Sequence, residues 1–316
     1  MTAESVPSSS RSMRSRIALG TSGLGRDTVP ATAGEDAAVA TARALLLSGY
    51  AAVDTSNAYA AGRSEAVLGR ALYELAGTET VPVITKVDAD PATGALDRDR
   101  VLRSLDESLR RLGCDRLPLV HLHDPYSVTF AEAAGRGGAI EALVELRERG
   151  VVDAIGIAAG PVPLVTRYAD TGAFDAILVH NRFTLVDRSA AELFARAAGQ
   201  GMRVFNAAPF GGGLLAHGSA SAAGYAYRPA SPALRQWVGA LERLCAQYGI
   251  GLPAAALHLS LRNPDIHATI VGVSSPARLA ALGALADAQV PDGFWERLAG
   301  FPAAPTPIAD REEDVR

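Results

Sequence analysis

Lysine is nearly missing from this sequence. Of its 30 basic side chains one is a lysine, Lys86, and the rest are arginine. Against 34 acidic residues they leave a net charge of −4. That balance offers no concentrated basic footprint and argues against a nucleic-acid partner. Cysteine is scarce as well. Cys114 and Cys245 are too few for a disulfide framework, so reduced thiols and a cytoplasmic location are expected. No stretch approaches the ~18 uninterrupted apolar residues of a membrane span. The opening MTAESVPSSSRSMRSR carries basic and serine residues but no apolar signal core. Residues 1–15 are expected to form a disordered tail.

A chain of 316 residues suits two ordinary domains or one α/β barrel. Eight short apolar runs recur, at 16–20, 51–55, 81–87, 117–123, 152–158, 174–181, 202–208 and 267–273. They are continuous or nearly so, as in parallel strands buried on both faces. Amphipathic segments fall between them, at 64–76, 98–112, 138–149, 188–199, 233–248 and 276–287. Within 98–112, Val101, Leu102, Leu105, Leu109 and Leu112 share one helical face. Pro161 to Pro163 start a further helix. This alternation predicts an α/β fold, a (β/α)8 TIM barrel over 16–300, with a C-terminal tail at 301–316. A doubly wound sheet would need a G-x-G-x-x-G turn after its first strand. Gly20-Thr21-Ser22-Gly23-Leu24-Gly25 lacks that spacing. The longest connection, 209–266, opens on a Gly-, Ala- and Ser-rich stretch and is expected to lie over the C-terminal mouth.

Barrel chemistry sits at the C-terminal strand ends. The second run ends at Asp54, with Tyr59 close behind; the third carries Lys86; the fourth ends at His123. Taken singly, each has an ordinary reading: a turn cap, a packed ring, a solvated amine, a core imidazole. Taken together they are complementary. A phenol is a weak acid of pKa about 10, and an adjacent ammonium favours its ionised form. A carboxylate keeps the ammonium charged and placed, and a histidine beside the hydroxyl orients a carbonyl or alcohol. The set describes a tuned acid/base for carbonyl–alcohol interconversion. His121 lies one pleat deeper than His123 and reads as a core residue or as one that supports the site from behind.

The motifs D-T-S-N-A-Y (54–59), T-K (85–86), L-H-D-P (122–125) and S-E-A-V-L-G (64–69) resemble the aldo-keto reductase superfamily. The resemblance runs from about 16 to 287 and implies a barrel, a nicotinamide cofactor and a tetrad on Asp54, Tyr59, Lys86 and His123. Segments 174–187, 208–216 and 225–230 further resemble the branch of D-threo-aldose 1-dehydrogenase, L-fucose dehydrogenase and pyridoxal 4-dehydrogenase. That branch implies oxidation of a cyclic hemiacetal to a lactone. The implied cofactor residues are Gly20, Thr21, Asn181, Phe210, Gly211, Gly212, Gly213, Leu214, Gly272, Val273, Ser274, Ser275 and Arg278. Asn57, Tyr126, Tyr225, Tyr227 and Trp237 are expected in the substrate pocket, with packing the alternative for Tyr225 and Tyr227.

The chain departs from the family pattern at the nicotinamide. Ala158-Ala159 replace a common Ser-Asn and Ala207 replaces a stacking tyrosine. Asn181 or His180 is expected to compensate. Gly272 stands where a lysine often meets a 2′-phosphate, which favours NAD over NADP, although Arg278 remains to pair with a phosphate. A monomer or small homo-oligomer acting on a small carbonyl or hemiacetal, without metal, is expected. The alternatives are an NADPH-dependent aldehyde or ketone reductase and a cofactor-binding regulatory protein of little turnover.

Overall fold

Each of the eight apolar runs supplies one parallel strand. In the computed structural model, which describes residues 13–306 and 308–310, these are Ile17–Gly20 (β1), Ala52–Asp54 (β2), Val83–Val87 (β3), Val120–His123 (β4), Ile155–Ala159 (β5), Ala176–His180 (β6), Arg203–Ala207 (β7) and Ala268–Gly272 (β8). They close a barrel in chain order, with β1 paired to both β2 and β8. The expected tail at 1–15 lies, apart from its last three residues, outside the described residues. Residues 13–16 form a short helical turn below the barrel. There the Arg16 guanidinium donates to the backbone carbonyls of Asn263 and Ile266.

The strand period places alternate residues inside the barrel. The interior floor is made of Ala18, Ala52, Ile84, Leu119, Ala176 and Phe205, with other small residues. One step above, β3 and β4 bring Lys86 opposite His121. The imidazole of His121 fits because β5 carries Gly156 beside it: a Cβ there would lie 2.2 Å from His121 Nδ1. Outward-facing residues pack under the helices in a second, larger core.

Helix Arg98–Leu112 buries Val101, Leu105 and Leu112 on the expected face, and Ser104 and Ser108 with them. Asp97 caps it by accepting from Arg100 N–H at 2.8 Å. Gly69 lets helix Arg63–Glu74 approach: a Cβ at Gly69 would stand 1.8 Å from the Arg111 carbonyl oxygen. These two helices support the ends of β2 and β3.

Several helices lie outside the amphipathic segments expected from the sequence, among them Leu252–Leu261 and Asp292–Ala299. Leu252–Leu261 falls inside the long 209–266 connection and is buried along nearly every face, so it has no polar stripe to reveal it. Asp292–Ala299 follows the last strand–helix unit. Of the residues expected as a C-terminal tail, those described, 301–306 and 308–310, lie against the barrel. Phe301 packs edge-on to Trp237 with ring centroids 5.4 Å apart, and Asp310 accepts from Arg182 and from Val162 N–H. Among the described residues no single helix is long and apolar enough to cross a membrane.

Candidate active site

The ends of β2, β3 and β4 converge on one point. Lys86, 1% exposed, sits between its neighbours with all three ammonium protons used. Its Nζ donates to Asp54 Oδ2 at 2.8 Å, to the Thr55 carbonyl at 2.7 Å and to the Tyr59 hydroxyl at 3.2 Å. Three acceptors around one nitrogen require an ammonium. Burial pulls the Lys86 proton affinity down, but the charges of Asp54 and Tyr59 outweigh it, and the group is held above its ordinary value.

Tyr59 accepts from Lys86, so its own proton is free for the cavity. Burial pushes the phenol up to about 12 against the opposing pull of Lys86. Lys86 lowers the phenol as expected, but desolvation of the phenolate exceeds that pull. The turn after Tyr59 is strained, with Ala60 and Ala61 at φ 51° and 53° and Gly62 at 83°. Left-handed backbone at two alanines costs roughly 1–2 kcal/mol per residue and fixes where the ring emerges. Non-glycine residues at positive φ also follow three other strands: Asp124 (40°), Asn181 (61°) and Ala208 (56°). Strain of this kind gathers at functional sites.

His123 faces Tyr59 edge-on, ring centroids 5.8 Å apart. Its Nδ1 lies 2.6 Å from Asp88 Oδ1 and its Nε2 3.6 Å from Asp124 Oδ2. Asp124 Oδ1 is in turn 3.5 Å from His180 Nε2. Asp88 and Asp124 were given no role in the sequence reading, whereas His180 was expected at the nicotinamide together with Asn181. Asp88 carried a usable signal, since it stands two residues after Lys86 and shares its face. His121 is fully buried with neither ring nitrogen bonded, and burial with the nearby Lys86 charge holds it neutral. It is core, as expected.

A cavity of about 530 Å³ opens over this cluster, lined by Asp54, Tyr59, Lys86, His123 and His180 on one side. The small residues Gly20, Ala207, Ala208 and Gly272 also line it, together with Leu178, Ile270, Ser22 and Arg26. Tyr227 also reaches it. A neighbouring cavity of about 620 Å³ under residues 298–310 contains none of the four tetrad residues.

The other expected residues divide. Gly20 and Gly272 border the cavity, while Thr21 is buried and donates to the Asp54 carbonyl at 2.9 Å. Asn181 is fully buried, its amide nitrogen 3.1 Å from His180 Nδ1; His180, not Asn181, reaches the cavity. Phe210 to Gly213 follow β7, and Gly211, Gly212 and Gly213 all take positive φ. Leu214 and Val273 are core. Ser275 caps helix Pro276–Ala286, and Ser274 and Arg278 are exposed at its start.

Four substrate expectations are corrected. Asn57 is buried against helix Arg98–Leu112, donating to the Ser104 carbonyl and Glu107 and accepting from Arg100. Tyr225 is fully buried, its hydroxyl 2.7 Å from Thr184 Oγ1; the packing alternative holds. Tyr126 points aside and accepts from Gly160 N–H at 3.0 Å. Trp237 donates to the Pro302 carbonyl at 2.8 Å and lines the neighbouring cavity.

Comparison with known proteins gives a consistent outcome. The chain is 34% identical over 208 residues to D-threo-aldose 1-dehydrogenase of a Pseudomonas species, covering 65% of this chain and 62% of that protein. It is 31% identical over 210 residues to pyridoxal 4-dehydrogenase of Microbacterium luteolum, covering 63% and 61%. These two matches span less than two thirds of either relative. A longer one, 30% over 269 residues, is to L-galactose dehydrogenase of Arabidopsis thaliana and covers 84% and 82%. In fold the chain is similar to a holo aldo-keto reductase of Bacillus halodurans, with TM-score 0.73, 22% identity and 95% of each chain covered. The description "Aldo/keto reductase family" matches residues 16–301. Matched along its whole barrel, the chain belongs to the aldo/keto reductase family.

Proposed function

We propose that this chain is a nicotinamide-dependent oxidoreductase that interconverts a sugar-like or other cyclic hemiacetal, an aldose or pyridoxal, with its lactone. The observation that carries the reading is Lys86 with its three protons committed to Asp54, Thr55 and Tyr59. That arrangement leaves the Tyr59 proton aimed at whatever oxygen enters the cavity. The named relatives support the aldose and pyridoxal class.

The small residues Gly20, Ala207 and Gly272 beside Leu178 and Ile270 leave room for a flat ring: a Cβ at Gly272 would meet nothing within 4 Å. Gly211 to Gly213 and the exposed helix start at Ser275 and Arg278 would hold the phosphates, through close backbone approach and a helix N-terminus. A bound nicotinamide would exchange hydride with the substrate carbon. Tyr59 donates a hydrogen bond to the reacting oxygen, Lys86 and Asp54 fix the phenol, and His123 orients the same oxygen. Gly272 without a lysine favours NAD.

A second reading, an aldehyde or ketone reductase using NADPH, is favoured by one observation: a phenol pushed up to about 12 is a proton donor at ordinary pH. Initial rates in both directions, with NAD and NADP, on aldoses, pyridoxal and simple aldehydes separate the two. Hemiacetal oxidation with NAD is the expected result; reduction of open aldehydes with no hemiacetal oxidation rejects the dehydrogenase reading. Tyr59→Phe should abolish turnover and leave cofactor affinity nearly unchanged.

A further inference from the structure

Asp124 follows His123 at the end of β4. An aspartate in such a place ordinarily turns back on its own loop. Elsewhere in the chain that is what happens: Asp90 accepts from the N–H groups of Ala92 and Thr93, Asp97 from that of Arg100, and Asp187 from that of Ser189. Among the described residues the Asp124 carboxylate takes no backbone N–H; its neighbours are side chains. His180 Nε2 lies 3.5 Å from Oδ1 and His123 Nε2 3.6 Å from Oδ2. The Tyr126 hydroxyl, itself fixed by Gly160 N–H, adds a hydrogen bond. Both imidazole contacts exceed an ordinary hydrogen-bond length, so the carboxylate has lone pairs to spare. It is 35% exposed and lines the cavity over the tetrad.

The backbone sets that direction. Asp124 stands at φ 40°, a region that aspartate tolerates better than most residues. Its N–H donates to the Ala158 carbonyl at 2.9 Å, and its own carbonyl accepts from Tyr126 N–H at 2.6 Å. Strain is thus held in place at the residue that turns a free acceptor toward the cavity.

Burial works against the charge, but the bonds from His180 and Tyr126 and the nearby imidazoles outweigh it and hold the carboxyl below its ordinary value. An ionised carboxylate only accepts. It therefore favours a ligand group that donates and repels one that carries negative charge. Lys86 and Arg26 border the same cavity, which disfavours a cationic donor and leaves the neutral hydroxyl. The place of that hydroxyl follows from His123. The imidazole orients the reacting oxygen, and the carboxylate lies beside the same ring, so it meets the substituent next to the reacting carbon.

We propose that Asp124 is a specificity-determining residue: its carboxylate accepts from a hydroxyl on the carbon adjacent to the reacting one, and so selects a 2-hydroxylated substrate, an aldose in its cyclic form. This role rests on the oxidoreductase reading above and separates its two substrate classes. Pyridoxal has no hydroxyl at that carbon. Its nearest is an acidic phenol one carbon further, whose ionised form a carboxylate repels.

The test compares kcat/KM for L-galactose, L-fucose and D-arabinose with kcat/KM for their 2-deoxy derivatives, in wild type, Asp124→Asn and Asp124→Ala. A hydroxyl withdraws electrons from the neighbouring carbon and slows hydride departure, so intrinsic reactivity favours the deoxy sugar. A preference for the parent sugar therefore reports the contact. Wild type should prefer the parent about 10- to 100-fold, as a hydrogen bond to a charged group gives. Asp124→Ala should reduce that preference to about threefold or less, and Asp124→Asn, which keeps an acceptor without its charge, should fall between. Pyridoxal should gain on the aldoses in both variants.

A residue that merely placed His180 would slow parent and deoxy sugars by the same factor and leave the preference intact. That result overturns the proposal, as does a wild type that handles the two sugars alike. The wild-type comparison decides by itself should the variants not fold. The contrast also runs in reduction, with lactaldehyde against propanal. A chain that reduces open aldehydes without oxidising sugars loses the dehydrogenase reading, while Asp124 is still judged by whether its variants lower the preference for lactaldehyde. Turnover of none of these probes overturns the enzyme reading and this role together.

Discussion

Replacing Lys86 by arginine keeps the charge and should nevertheless disable the site. The ammonium fits among three acceptors at 2.7, 2.8 and 3.2 Å and is 1% exposed. A guanidinium is larger and planar, so it cannot point three protons at one convergent cluster. Forcing it into a closed interior costs roughly 1–3 kcal/mol, or about 5 °C in Tm for a domain of this size. Loss of the Tyr59 contact adds a rate effect of about 10²-fold or more. Lys86→Met tests the charge separately. It strands the Asp54 carboxylate, 2% exposed, and should cost about 3–5 kcal/mol; Asp54→Asn in the same chain should recover part of it. The sign with pH follows from Asp54. Burial raises its carboxyl in the fold, and removing the ammonium removes the main contributions that oppose that rise. Such a group stabilises the fold below its unfolded pKa and loses that contribution as pH climbs toward the raised folded value. Lys86→Met should therefore be less destabilised in acid. Thermal unfolding across pH, with turnover on the best aldose, measures all three variants. Lys86→Arg retaining turnover within about threefold and an unchanged Tm would refute the argument from convergence.

Three further outcomes are expected. Asp88 is lowered in the fold, so its stabilisation is complete above the unfolded carboxylate pKa and lost as pH falls through the lower folded value. Asp88→Asn should flatten the acid limb of an unfolding curve followed by circular dichroism. Gly156→Ala should lose roughly 1–3 kcal/mol in urea unfolding through its clash with His121, and His121→Ala should relieve it; additive losses would contradict that geometry. Gly272→Lys should move the ratio of kcat/KM for NADP over NAD upward by about tenfold, the value of one charge-assisted phosphate contact of roughly 1.5 kcal/mol.

The barrel could be read from sequence because parallel strands, covered on both faces, leave continuous apolar runs. Each run found its strand, and the strand ends then located the tetrad. Helix Leu252–Leu261 was not readable for the opposite reason: an element buried all round has no period to display. The site's outer groups were lost for two different reasons. Asp88 stood in view, two residues past Lys86, and went unmarked because a lone aspartate after a strand ordinarily caps a turn. Tyr126 and Trp237 were misplaced, and Tyr225 followed its packing alternative, because a side chain's direction is set by distant contacts, here Gly160, Pro302 and Thr184. No local pattern encodes those.

Buried arginine is no obstacle for this protein, which makes the lone lysine informative. Arg100 is 4% exposed and uses its planar fork fully, reaching the Asp88 carbonyl from Nε, Glu107 from one terminal nitrogen and Asn57 from the other. Its acceptors are spread along the edges of a plane, which is the geometry a guanidinium serves. At Lys86 the acceptors surround a point. The two side chains lie on adjacent layers of one support, since Arg100 anchors the residue that faces His123 while Lys86 anchors Tyr59. A basic set that is otherwise all arginine therefore gives way to lysine where the donor must be compact and tetrahedral. The same reasoning predicts the reverse exchange. Arg100→Lys should keep the charge yet release either Asp88 or Asn57, because one nitrogen cannot reach both. Its effect should appear first as mobility of the His123 ring in 15N relaxation, before any change in Tyr59 contacts. An unchanged ring would show that Ser56, Ala58 and Ser104 hold Asp88 in place without Arg100.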